Sequence, residues 1–101
     1  MSFKGYIYSI KSLNTNHIYI GSTKQPLSIR FSKHKYDSQY QHRIKPLHKT
    51  ILDLGGFDNF QIQPLKELTC NSIDELRVIE KKIIDDYNNN DNYILMNSRL
   101  L

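Results

Sequence analysis

Two short stretches near the start, KGYIYSI (residues 4–10) and NHIYIGS (16–22), constrain this chain more than any other feature. Each alternates β-branched or aromatic residues with smaller or polar ones, the period-2 pattern of a strand, and only the turn-rich KSLNTN lies between them. A connector of hairpin length obliges the two to pair antiparallel, so the rest of the chain must pack on a sheet. Along the first strand Tyr6, Tyr8 and Ile10 share one side; along the second His17, Tyr19 and Gly21 do. Tyrosines there are ordinary packing material. Gly21 says more, because glycine at a strand end lets another backbone or a ligand come close. The GST at 21–23 is too short for a phosphate-cradling P-loop.

Downstream, Pro26 suits the first turn of a helix over about 26–37, and a second helical pattern at 45–54 runs through Leu47, His48, Ile51 and Leu52 until Gly55 and Gly56 stop it. FDNFQIQPLKEL (57–68) holds an alternating strand that Pro64 marks as an edge or a bulge. Ser72 and Glu75 form a capping box for a third helix, NNNDN (88–92) is a polar loop, and YILMN (93–97) is a short terminal strand. The expected class is α/β of the α+β kind: a small three-stranded, mostly antiparallel sheet flanked by helices, order β-β-α-α-β-α plus the short terminal strand. With 101 residues and no linker or repeat, the expectation is a single domain over 1–101.

Charge is distributed unevenly. Residues 1–50 carry nine Lys or Arg against a single acid, Asp37, whereas 51–101 carry five basic and nine acidic residues. The basic charge concentrates between Lys24 and Lys49, interleaved with Phe31, His34, Tyr36, Tyr40 and His42, a composition that suits a phosphate backbone as well as a merely solvated face. No apolar run approaches the roughly 20 residues that cross a bilayer, and MSFKGYIYSI lacks a secretory h-region. Cys70 is the single cysteine, which excludes a disulfide framework, and the four histidines match no zinc-site spacing. An intracellular location, cytoplasm or nucleus, follows as the expectation, with no membrane partner. The Asn-, Ile-, Lys- and Tyr-rich composition is compatible with an AT-rich viral or mobile-element genome.

Two helices place ionisable groups on their own apolar faces. In LRVIEKKIID (76–85) the stripe Ile73, Leu76, Ile83, Ile84 and Tyr87 contains Glu80. In the first helix Leu27, Arg30, Phe31 and His34 form one i, i+3, i+4, i+7 set. Burying a charge costs several kcal/mol (~) unless it is paired. Either Arg30 and Glu80 form a buried pair, or both face a polar cleft that receives a ligand or metal.

The ordered set YIYSI, IYIGST, R-x-x-x-H, a late helical glutamate and a near-terminal Asn resembles the GIY-YIG nuclease domain over nearly the whole chain. The resemblance implies that Tyr8 closes the first motif, whose leading Gly is here Tyr6, and that Tyr19, Ile20 and Gly21 are the second. It implies a catalytic Arg30, His34 one turn later, Glu80 as the carboxylate holding Mg²⁺ (or Mn²⁺), and Asn97 supporting the site. His42 matches a further histidine of some members. Pro26 lies where the Tyr19-to-Arg30 spacing is a residue longer than in many members, a reshaped loop. Lys24, Lys33 and Lys35, with His42 and Asn97, are the expected substrate contacts. The implied activity is a metal-dependent DNA endonuclease leaving 5′-phosphate and 3′-hydroxyl ends, with a protein partner or oligomer supplying specificity; the alternative is a non-catalytic nucleic-acid-binding module on the same fold. Tyr8 and Tyr19 both remain open as general base. A free phenol, with pKa about 10, needs a cation, a metal or a proton shuttle such as His34.

Overall fold

The computed structural model describes residues 2–40 and 42–97; Met1, Gln41 and residues 98–101 of the expected domain lie outside the described residues. The elements follow the predicted order: β1 (Phe3–Ser12), β2 (His17–Thr23), α1 (Leu27–Asp37), α2 (Pro46–Asp53), β3 (Phe60–Cys70), α3 (Ile73–Asn88) and β4 (Ile94–Leu95). Pro26 stands one position earlier than predicted, as the N-cap of α1 with extended backbone. Gly55 and Gly56, at φ 105° and 93°, turn the chain out of α2 through a conformation that a side chain would strain.

The sheet has four strands in the order β3-β1-β2-β4, where three were expected. β1 pairs antiparallel with β2, Tyr8 opposite Gly21 and Ile10 opposite Tyr19. The terminal segment joins as a parallel neighbour of β2, His17 opposite Ile94 and Ile18 opposite Leu95, through Met96 N–H donating to the Ile18 carbonyl at 2.7 Å. Two paired residues leave no alternation to read, which is why the segment's membership in the sheet was not apparent. Pro64 is both edge and bulge: β3 lies at the sheet edge, and its register slips where Ile7 faces Lys66 but Tyr8 faces Pro64.

Strand alternation sorts the core onto two faces. Tyr8, Ile10, Leu47, Ile51, Phe60 and Met96 pack beneath α1 and α2. Ile7, Ile18, Ile20, Cys70 and Leu76 form the other layer, under α3. Ser72 caps α3 by accepting the Glu75 N–H at 3.3 Å, and Glu75 reaches back to the Asn71 N–H at 2.8 Å, one residue before the position a standard capping box would use. Leu76, Ile79, Ile83, Ile84 and Tyr87 carry the apolar stripe; Ile73, predicted within it, is exposed. Glu80 lies among these residues and is half-buried. Each isoleucine buried in these layers contributes about 1.5–3 kcal/mol. No described helix is long and apolar enough to cross a membrane.

Candidate active site

Tyr8 stands in the middle of β1 with its ring directed across to β2. Its path depends on Gly21: a Cβ there would lie 2.5 Å from the Tyr8 Cζ and hydroxyl oxygen and 2.9 Å from Tyr19 Cε2. The close approach anticipated at this glycine is therefore made by a tyrosine of the chain itself. Tyr8 and Tyr19 rings stand 6.2 Å apart, centroid to centroid.

α1 brings two polar side chains to the Tyr8 hydroxyl because Arg30 and His34 are one helical turn apart. Arg30 Nε donates to the Tyr8 oxygen at 3.3 Å, and His34 Nε2 shares a 3.0 Å hydrogen bond with it. Behind His34 comes a residue that sequence reasoning did not place in the site. His48 on α2 contributes Nε2 at 3.0 Å from His34 Nδ1, and its own Nδ1 accepts the Lys45 backbone N–H at 3.2 Å. Tyr8, His34 and His48 are 0%, 2% and 0% exposed, so the chain of hydrogen bonds is sealed from solvent. The signal for His48 was the same as for Arg30 and Glu80: it shares the apolar face of α2 with Leu47 and Ile51.

Burial sets the protonation of this cluster. Desolvation, aided chiefly by the Arg30 charge, lowers the His34 pKa to about 3, so the ring is neutral at physiological pH. His48 is lowered in the same way, by desolvation and then by Lys45. Burial raises the Tyr8 phenol, and the Arg30 guanidinium partly offsets that rise. Tyr19 is pushed well above the ordinary phenol range, chiefly by burial and then by the neighbouring Tyr8 and Glu80.

Glu80 acts on both tyrosines through its charge, raising the pKa of each. It arrives on α3, across the sheet from α1, and no ion pair joins it to Arg30 or to any other described residue. The buried Arg30–Glu80 pair is thus absent. Among the described residues no group of three or more His, Cys, Asp or Glu converges to cage a metal. A single half-buried carboxylate fits a hard cation that keeps most of its waters and completes its shell with phosphate oxygens, as Mg²⁺ does. It does not fit a closed structural site.

Of the other candidates, the lysines and His42 make contacts outside this cluster, and Asn97 borders it. Lys24 Nζ stands 4.6 Å over the Phe3 ring, Lys33 pairs with Asp37 at 3.7 Å, and Lys35 Nζ lies 5.3 Å from the Phe31 ring centroid. His42 is exposed, its ring 6.2 Å from that of Tyr40. Asn97 grips the backbone of Ile20 from both sides: Ile20 N–H donates to Oδ1 at 2.9 Å and Nδ2 donates to the Ile20 carbonyl at 2.7 Å. It thereby holds β2 at the residue between Tyr19 and Gly21. A surface cavity of about 220 Å³ adjoins the site, lined by Tyr19, Lys45, Pro46, Leu47 and Asn97. A larger apolar groove of about 460 Å³, by Leu68, Val78 and Ile79, contains none of the candidate residues.

A family model described as the GIY-YIG catalytic domain matches residues 4–93. The "Putative MSV199 domain-containing protein 146R" of Invertebrate iridescent virus 6 is 44% identical over 84 residues, a match covering 83% of this chain and 34% of that protein. "Uncharacterized protein 019R" of the same virus is 37% identical over 83 residues, covering 82% of this chain and 29% of its own length. The chain therefore spans about a third of each of these relatives. No solved structure gives a significant match.

Proposed function

The chain belongs to the GIY-YIG catalytic domain family, a nuclease-type fold, and from that premise we propose that it is a divalent-metal-dependent DNA endonuclease that hydrolyses phosphodiesters to 5′-phosphate and 3′-hydroxyl ends. The observation that carries this reading is the convergence on one phenol oxygen: Arg30 and His34 both bond Tyr8, within the field of a carboxylate that has no ion-pair partner among the described residues.

Arg30 uses only Nε on Tyr8, so the two terminal nitrogens of its guanidinium remain available for the phosphate, in the fork geometry that suits phosphoryl oxygens. It would stabilise charge developing on the phosphoryl oxygens while favouring the ionised form of Tyr8. That combination makes Tyr8 the better general base, since burial raises both phenols and only Tyr8, among the described residues, has the Arg30 N–H to offset it. His34, neutral and buried, holds the Tyr8 oxygen in place. Glu80 would hold the cation, Mg²⁺ or Mn²⁺, which supplies Lewis-acid stabilisation of the leaving oxygen. The basic residues Lys24, Lys33 and Lys35, with His42, would carry the DNA backbone through salt-dependent contacts. DNA targeting by a protein partner or by oligomerisation belongs to the same proposal.

The test is cleavage of plasmid, single-stranded, flap and junction DNA with Mg²⁺ or Mn²⁺, beside Arg30→Ala and Glu80→Ala. Cutting by wild type that both variants lack supports the proposal. Salt-dependent binding with no cutting of any substrate replaces it with the binding-module reading, and equal activity in wild type and Glu80→Ala refutes the role of the carboxylate.

A further inference from the structure

The hydrogen bonds running back from Tyr8 have a direction, and a backbone group sets it. A backbone N–H can only donate, so the Lys45 N–H at 3.2 Å requires a lone pair on His48 Nδ1. The neutral His48 ring then carries its proton on Nε2, which donates across 3.0 Å to His34 Nδ1. That nitrogen is thereby an acceptor, so His34 carries its own proton on Nε2 and donates it across 3.0 Å to the Tyr8 oxygen. Arg30 Nε donates to the same oxygen at 3.3 Å.

We propose that His48 is a positioning residue: anchored by the Lys45 backbone, it fixes His34 as the Nε2–H tautomer and so makes the Tyr8 hydroxyl oxygen an acceptor of two hydrogen bonds. The consequence for the proton on Tyr8 is specific. Neither His34 nor Arg30 can receive it in this arrangement, because both present N–H groups to the oxygen. His34 is therefore a donor that stabilises an ionised Tyr8, not the proton shuttle that the sequence left open. The Tyr8 proton is available only on the side away from α1.

His48 can fix a tautomer because it doubles as a helix cap. It occupies the third residue of α2, where Glu or Gln usually reaches back to the N-cap N–H, and its ring does so instead. Its orientation is thus tied to the start of the helix rather than to the site. The neutral state that the argument needs is supported by burial of both rings, with Arg30 and Lys45 opposing protonation more than Asp37 favours it. The catalytic weight of this arrangement rests on the nuclease reading; the tautomer itself does not.

The test begins with nitrogen-15 long-range correlation spectra of the histidines in the DNA-free protein near neutral pH, assigned with His34→Gln and His48→Gln. The expected result is Nε2–H at both His34 and His48; Nδ1–H at His34 overturns the inference whether or not the protein cuts DNA. The second arm compares His48→Leu with His48→Gln, whose amide can still donate to His34 Nδ1. His48→Leu is expected to shift the His34 tautomer and to lower kcat about 10-fold or more with little change in KM, and His48→Gln to restore most of both. An unshifted His34 signal in a folded His48→Leu overturns the positioning role. Absence of cleavage by wild type counts against the nuclease reading alone, since the spectra decide the tautomer independently.

Discussion

The two faces of the sheet answer the same problem in opposite ways. On the α1 and α2 face, Arg30, His34 and His48 occupy apolar stripes and are closed off by one another, by Tyr8 and by the Lys45 backbone. On the α3 face, Glu80 occupies an apolar stripe and has no ion-pair partner among the described residues. The first face joins Tyr8, His34 and His48 into one hydrogen-bonded chain on folding, leaving Asp37 Oδ1 of α1 buried without a hydrogen bond among the described residues, and the second leaves a half-buried carboxylate with no ion-pair partner among them. Preorganised donors on one side and an incomplete carboxylate on the other are what a site needs if a cation and an anionic substrate arrive together.

The sharpest test of that contrast separates activity from stability. Arg30→Ala and Glu80→Ala should each lower the rate of DNA cleavage by about 10²–10³-fold, the range expected for removing one electrostatic contact to a transition state. Their thermal stabilities should diverge. Glu80→Ala should leave the metal-free melting temperature unchanged or higher, and Mg²⁺ should no longer raise it. A large loss of stability in metal-free Glu80→Ala would break the comparison, because it would mean that the carboxylate already has a partner.

Acid should act on the α1 and α2 face. His34 titrates near 3 in the folded protein against about 6.5 unfolded, so between those values the unfolded chain binds the extra proton. The stability from its neutral form is fully present above pH ~6.5 and is lost as pH falls toward 3, at about 1.4 kcal/mol per pH unit. His48 shifts in the same direction and adds to the loss. Denaturant midpoints between pH 7 and 4 check this, and His34→Gln should flatten the profile. An equally steep profile in His34→Gln would remove this histidine as the cause.

A smaller effect tests the geometry between the faces. Gly21→Ala puts a methyl where the Tyr8 hydroxyl and the Tyr19 ring already lie. Overpacking of this kind costs about 1–3 kcal/mol, and the displaced phenol would lose its place between Arg30 and His34. Urea unfolding should register the first, and cleavage by the still-folded variant a further loss beyond it. Full activity in Gly21→Ala would show that the position of Tyr8 is not critical.

Helical periodicity was sufficient to mark Arg30, His34 and Glu80, each an ionisable side chain on a face that should be apolar, whereas Tyr8 and Tyr19 alternate as ordinary strand tyrosines and were marked only by the family resemblance. The same criterion reached His48, but a histidine between Leu47 and Ile51 reads as packing until a partner is known. Its partner lies on another helix, and pairing between helices has no local signature. Placing α1 and α3 on opposite faces also required the tertiary structure, and with it the absence of an Arg30–Glu80 pair. β4 was expected as a short terminal strand, but its place in the sheet as a fourth strand was not, because two paired residues carry no period.

Asn97 gives the smallest effect and the finest test of how β2 is held. Its amide makes two hydrogen bonds to the Ile20 backbone, at 2.9 and 2.7 Å, continuing with a side chain the pairing that β4 makes with backbone at Ile18. Each such bond contributes about 0.5–1.5 kcal/mol net, and water can replace part of it at a sheet edge. Asn97→Ala should therefore cost about 1 kcal/mol of stability. Asn97→Asp keeps the acceptor for the Ile20 N–H but presents a carboxylate oxygen to the Ile20 carbonyl, so it should be the worse substitution. Because Ile20 separates Tyr19 from Gly21, both variants should also lose cleavage rate several-fold (~) while retaining the fold, an effect of misplacing the tyrosines. Equal stability of the Asp and Ala variants would mean that the donor half of the clamp contributes nothing. A rate loss without any stability loss would instead point to Asn97 touching the substrate directly.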